Sequence, residues 1–145
     1  MILKYESIII TTLCKLLTPF IQIYGLYVIV HGHSSPGGGF QGGVILGASF
    51  ILLAISHGVD QVKKRMSEKL NTILCSFGLL IYSGLGVLAL IFGGNYLDYG
   101  YLPIPVTVAE ARFLGILGIE VGVGIGVMAV MLSIFLDILS GEEIG

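Results

Sequence analysis

Charge is what this chain has least of. Only 11% of its 145 residues are Asp, Glu, Lys or Arg, against about 25% in a soluble domain. Tryptophan is absent and cysteine occurs twice. Cys14 and Cys75 stand alone in apolar surroundings, without the paired thiolate spacing that holds an iron–sulfur cluster or zinc. A redox centre built by this chain is therefore not expected: no cofactor, no metal site, and two buried, inert thiols. A formal net charge of −2 and the lack of any extended basic stretch speak against a nucleic-acid partner. There is no repeat of 20–50 residues, no low-complexity tail and no separate soluble domain.

What is abundant is apolar surface. Hydrophobic residues make up 55% of the chain and mean hydropathy is +0.99, more than a water-soluble core of this size can hide. The apolar runs reach the ~18–20 residues that cross ~30 Å of hydrocarbon. Four spans are expected, over 7–30, 42–59, 70–92 and 110–139. The fold class is an all-α integral membrane protein of one domain, in contact with the lipid bilayer. The first run is expected to be a retained span, because Lys15 falls inside it and no small-residue cleavage site follows.

Basic residues orient the spans. Of seven Lys and Arg, four (Lys63, Lys64, Arg65 and Lys69) cluster between spans two and three. Positive residues favour the cytoplasmic side, so this loop and both termini, with Lys4 agreeing, are expected inside. The stretch 31–41 and the segment "GGNYLDYGYLPIP" then face outward, with Tyr96, Tyr99 and Tyr101 suited to an interfacial aromatic belt.

Between spans one and two stands "GHSSPGGGFQGG", residues 32–43. No lysine follows the glycines and no strand precedes them, so neither a P-loop nor a dinucleotide fingerprint is present. Pro36 fixes φ, while Gly37, Gly38 and Gly39 permit positive φ and close approach. Gly42, Gly43 and Gly47 extend a small-residue surface into span two. The expectation is a non-helical turn buried against protein or lining a wet cavity, since irregular backbone is tolerated at membrane depth only there. A packed corner and an ion-path lining both fit.

Ionisable groups inside the spans are the mechanistic candidates, because each costs about 2.5–3.5 kcal/mol to place in a helix centre. Glu120 lies about 15 Å along span four from Glu110. At 100° per residue, Gly118, Gly122 and Gly126 form one stripe and Glu120 points roughly 160° away from it. Span four is thus expected to be clamped on its glycine side, offering Glu120 on the other. There it serves as a carboxylate for which H+ and Na+ compete, or as a structural acid paired with a neighbouring subunit. Glu110 and Arg112 sit near the outer surface, as path entrance or interface pair. His31 and His33 flank Gly32; His33 is the candidate proton relay, with hydrogen bonding to the turn backbone as its structural alternative. His57 and Asp60, three apart, are expected on one helical face at the inner end of span two, as a proton-entry pair or a helix-end pair. Lys15 either snorkels to the inner interface or lines a proton path.

These residues carry a resemblance. Gly32, His33, Pro36, Gly37, Gly38, Gly39, Phe40, Gly42 and Gly43 match the signature loop of the B subunit of multisubunit Na+/H+ antiporters of the Mrp (Mnh) type. "TVAEARFLGILGIEVGVGIGVM" resembles that family's last span, with Glu120 where many relatives have Asp, and the acidic ending "GEE" is similar too. The resemblance implies a subunit of a larger assembly in a prokaryotic cell membrane, coupling Na+ and H+ movement beside other antiporter subunits. Subunits of this type also occur in membrane-bound hydrogenase and sulfane reductase complexes, where the redox chemistry belongs to other chains. Two other classes remain open on the residues alone: a small homo-oligomeric proton-coupled transporter, and a purely structural membrane subunit.

Overall fold

The computed structural model describes residues 2–142, with side chains over 8–139. The Lys4 side chain and the "GEE" ending, cited above, lie outside the described side chains. Five helices follow in order: α1 (Ile2–Val30), α2 (Gly39–His57), α3 (Val59–Arg65), α4 (Glu68–Ile91) and α5 (Val108–Glu142), with a 3-10 turn at Tyr99–Tyr101 before the last. There is no strand among the described residues. Four of the helices are long and apolar enough to cross a membrane, over Ile8–Val30, Gly39–His57, Glu68–Ile91 and Val108–Leu139.

The spanning helices form a row in the order α1, α2, α5, α4 rather than a closed four-helix bundle. Small residues set each contact. α1 and α2 run antiparallel, with Gly25 against Gly42 and Leu46, and Thr11 Oγ1 donating to the Ser56 carbonyl at 3.1 Å. α2 and α5 run parallel, with Gly39 on Glu120, Gly43 on Gly124 and Gly47 on Met131. α4 returns antiparallel to α5, with Gly78 on Gly122 and Gly126, and Leu85 on Gly118. Backbones meet this closely because no Cβ stands between them. The stripe formed by Gly118, Gly122 and Gly126 thus faces α4, as the 100° rule requires, and Glu120 faces the α1–α2 corner.

These pairings stagger the two hairpins. Gly39, the first residue of α2, meets Glu120, twelve residues into α5. The start of α2 therefore sits about 18 Å of helix below the N-terminal end of α5, while the turn before it reaches back up to Phe113 through His33. Beside it, α4 and α5 expose apolar side chains, among them Leu88, Ile91, Phe113 and Ile116. Tyrosines cap that end: Tyr96 lies over Gly86, Tyr99 over Gly115 and Tyr101 over Gly94. Burial beside Tyr82 and Tyr96 pushes the Tyr99 hydroxyl pKa up.

At the Lys/Arg-rich end, α3 and its C-cap tuck Val62 and Met66 into a core with Leu53, Ala54, Leu132 and Leu136. Ser67 caps α4, accepting from the Leu70 amide at 3.2 Å, as N-cap serines do. Asn71, 2% exposed, fastens α4 to α5 by donating to the Ala129 carbonyl at 2.9 Å and to Ser133 Oγ at 2.8 Å.

The observed elements correct two details of the sequence reading. α2 starts at Gly39 rather than 42, so Gly39, Phe40, Gly42 and Gly43 are helical and the irregular turn is confined to 31–38. Glycine is a poor helix former, but here its missing side chain is what admits α1 and α5. The second correction concerns His57 and Asp60. α2 ends at His57, Gly58 turns the chain at φ 90°, and Asp60 belongs to α3. No common helical face joins the two.

Candidate functional site

Glu120 is brought into the glycine corner. A Cβ at Gly32 would strike its carboxylate, and one at Gly39 would collide with its backbone carbonyl. Gly38, at φ 142° with a Cβ position 3.7 Å from Glu120 Oε1, has a conformation that side chains rarely adopt. The corner is thus folded around this one acid, which explains glycine at these places better than general flexibility does. Glu120 Oε2 is buried and has no hydrogen-bond partner among the described residues, an unusual state for a carboxylate oxygen.

His33 follows Gly32 at the same corner. Its Nδ1 lies 3.1 Å from the Val30 carbonyl, and its ring meets that of Phe113 at 4.7 Å between centroids. Being exposed, it stands between the outside of the corner and the buried acid. His31 instead stacks on Tyr27 at 4.1 Å and holds Ser34 and Ser35 through its carbonyl, a structural role. Pro36 is exposed at the turn. Phe40, also exposed, lies on the rim of an apolar groove of about 530 Å³ shared by α2, α4 and α5.

A second cleft, of about 360 Å³, opens between α1, α2 and α3 at the Lys/Arg-rich end. It unites two expected candidates, Lys15 and His57, with Gln22, Gln61 and Arg65. Pro19 lines it too and lacks an N–H, so the Lys15 carbonyl loses its helical partner there. His57 Nδ1 is 2.8 Å from Ser56 Oγ. Asp60 is exposed on α3 and does not line this cleft. Leu53, on its wall, is fourteen residues along α2 from Gly39, so about 21 Å of helix separates the cleft from Glu120.

Glu110 is placed apart from both. Its Oε2 accepts from the Thr107 amide at 3.0 Å and from Thr107 Oγ1 at 2.8 Å, while its own amide donates to Thr107 Oγ1 at 3.3 Å. This is a capping box starting α5. The Thr-x-x-Glu pattern in "TVAE" was available to reveal it. Arg112 lies near Gly100 and is exposed. Among the described residues no group of three or more His, Cys, Asp or Glu is arranged to hold a metal ion, and both cysteines are free and partly buried.

Comparison with known proteins converges on one family. Residues 9–133 match the family described as "Domain related to MnhB subunit of Na+/H+ antiporter". Proteins of Staphylococcus aureus strains Newman and JH1, each named "Putative antiporter subunit mnhB2", are 28% identical over 142 residues, covering 97% of this chain and the whole of each relative. With four membrane-crossing helices and the glycine corner in place, the chain belongs to the MnhB-related family of Na+/H+ antiporter subunits.

Proposed function

We propose that this multi-pass membrane subunit of a Na+/H+ antiporter module contributes a proton-transfer station, Glu120 with His33, at the floor of the step between its two hairpins. The observation that carries the reading is the buried, unpartnered Oε2 of Glu120, whose carboxylate lies against Gly32, the residue before the exposed His33. A carboxylate held this way has a reason to bind and release a proton, and His33 offers an imidazole to carry it toward the outer side. The cleft of Lys15 and His57 is the corresponding polar entry on the inner side. The positive loop 63–69 supports placing that entry, with both termini, in the cytoplasm of a prokaryotic cell. The relatives' names support an antiporter as the parent assembly.

The test is Na+-driven proton flux in proteoliposomes holding the complete assembly. Glu120→Gln is expected to assemble fully and lower the flux at least tenfold, with Glu120→Asp intermediate. Full flux in Glu120→Gln sinks the station and leaves a structural acid. Co-purifying hydrogenase or sulfane reductase subunits would instead place the chain in a redox-driven complex.

A further inference from the structure

We propose that the cleft between the inner ends of α4 and α5 is a cation site, with Asn71, Ser133 and Asp137 as its oxygen donors and Na+ as its ligand. The cleft measures about 320 Å³ and is lined by Glu68, Asn71, Thr72, Ser133, Leu136 and Asp137. Five of these six carry side-chain oxygen, and none is basic. Helical spacing creates the arrangement: Glu68, Asn71 and Thr72 are i, i+3 and i+4 on α4, and Ser133 and Asp137 are i and i+4 on α5. The antiparallel contact turns these two rows toward each other.

Asn71 is the observation that separates this cleft from an ordinary acidic surface. Its amide nitrogen donates to the Ala129 carbonyl and to Ser133 Oγ. A carbonyl only accepts, so the orientation of the amide is fixed by its partner. The oxygen is what remains. Asn71 is 2% exposed, and its Oδ1 has no hydrogen-bond partner among the described residues. An acceptor left in that state is destabilising, and a bound cation relieves it. Ser133 Oγ retains a lone pair after accepting from Asn71. Thr72 Oγ1, which donates to the Glu68 carbonyl at 2.9 Å, keeps its acceptor capacity.

Charge selects the class of ion. Glu68 is engaged by Lys63 at 2.9 Å on the surface, so Asp137 is the carboxylate at the rim. One carboxylate with neutral oxygens suits a hard monovalent cation, and oxygen donors suit hard cations generally. The site itself stands apart from the Glu120 station; only the choice of Na+ rests on the proposed function. Ser133 is thirteen residues from Glu120, about 20 Å along α5, so the site would hold Na+ at the inner mouth rather than at the proton station.

The experiment is hydrogen–deuterium exchange of the purified assembly, followed in peptides covering 68–80 and 128–139. NaCl, KCl, CaCl2 and choline chloride are compared at constant ionic strength. Na+ is expected to slow exchange in both peptides, and Asp137→Asn, which leaves the Asn71 clamp intact, to weaken the apparent Na+ affinity at least tenfold. Asn71→Ala should abolish the Na+ response even where the baseline exchange rises. Identical exchange in Na+ and choline overturns the site, as does a native response in Asp137→Asn; protection by Ca2+ alone overturns the assignment to Na+. Glu120→Gln should keep the Na+ protection while losing flux, so the two proposals fail separately.

Discussion

The backbone carbonyl of Glu120 lies where a side chain at residue 39 would begin. That contact fixes how far α2 slides along α5, and with it the depth of the whole α1–α2 corner. Packing and placement of the candidate acid are one problem in this fold.

Gly39→Ala is expected to destabilise the subunit, because the obstacle is backbone rather than a side chain that can move aside. Overpacking of this kind costs about 1–3 kcal/mol. Gly84→Ala is the control: nothing lies within 4 Å of its Cβ position, and alanine in a helix interior is favoured by about 0.5–1 kcal/mol. Thermal unfolding of the assembly should fall for the first and hold or rise for the second. Equal effects would show that the Gly39–Glu120 approach is not limiting.

His33→Gln tests the relay. The substitution keeps a hydrogen-bonding side chain near the Val30 carbonyl but removes the imidazole that can take up and give up a proton. Flux should drop about tenfold or more, and the shape of its pH profile should change. A purely structural His33 would change the amount of assembly and leave the shape of the pH profile as it is.

Glu110 should behave as a cap. Glu110→Gln retains part of the capping box, whereas Thr107→Ala removes it and should cost about 1 kcal/mol. Amide exchange at 108–111 should accelerate in Thr107→Ala, with the Na+/H+ coupling ratio unaltered. A lost coupling ratio would return Glu110 to the ion path.

Orientation has a direct check. With Cys14 and Cys75 replaced by serine, a cysteine at Ser34 should react with a membrane-impermeant thiol reagent added outside intact cells. A cysteine at Lys64 should react only in inverted vesicles. The opposite pattern would reverse the positive-inside assignment.

Much of this arrangement was legible in the residues. Hydropathy gave the four crossings, and the angular offset of Glu120 from Gly118, Gly122 and Gly126 gave the two-sided packing of α5. The glycine motif announced a buried corner but not its partner, because the contact of Gly39 with Glu120 joins residues far apart in sequence. The same limit hid the stagger of the hairpins and the Asn71 clamp, whose bonds reach 58 and 62 positions along the chain. The His57–Asp60 reading failed locally. Spacing implies a shared face only within an unbroken helix, and Gly58 breaks this one.

The step between the hairpins has a consequence for the life of the subunit before assembly. A bilayer accommodates mismatch at fractions of a kcal/mol per ångström, and the turn at 31–38, which reaches Phe113 through His33, leaves about 8 Å of α5 standing above it. Newly inserted copies of this chain therefore carry an uneven edge, and a neighbouring subunit seated in the step covers apolar surface to which lipid must otherwise adapt.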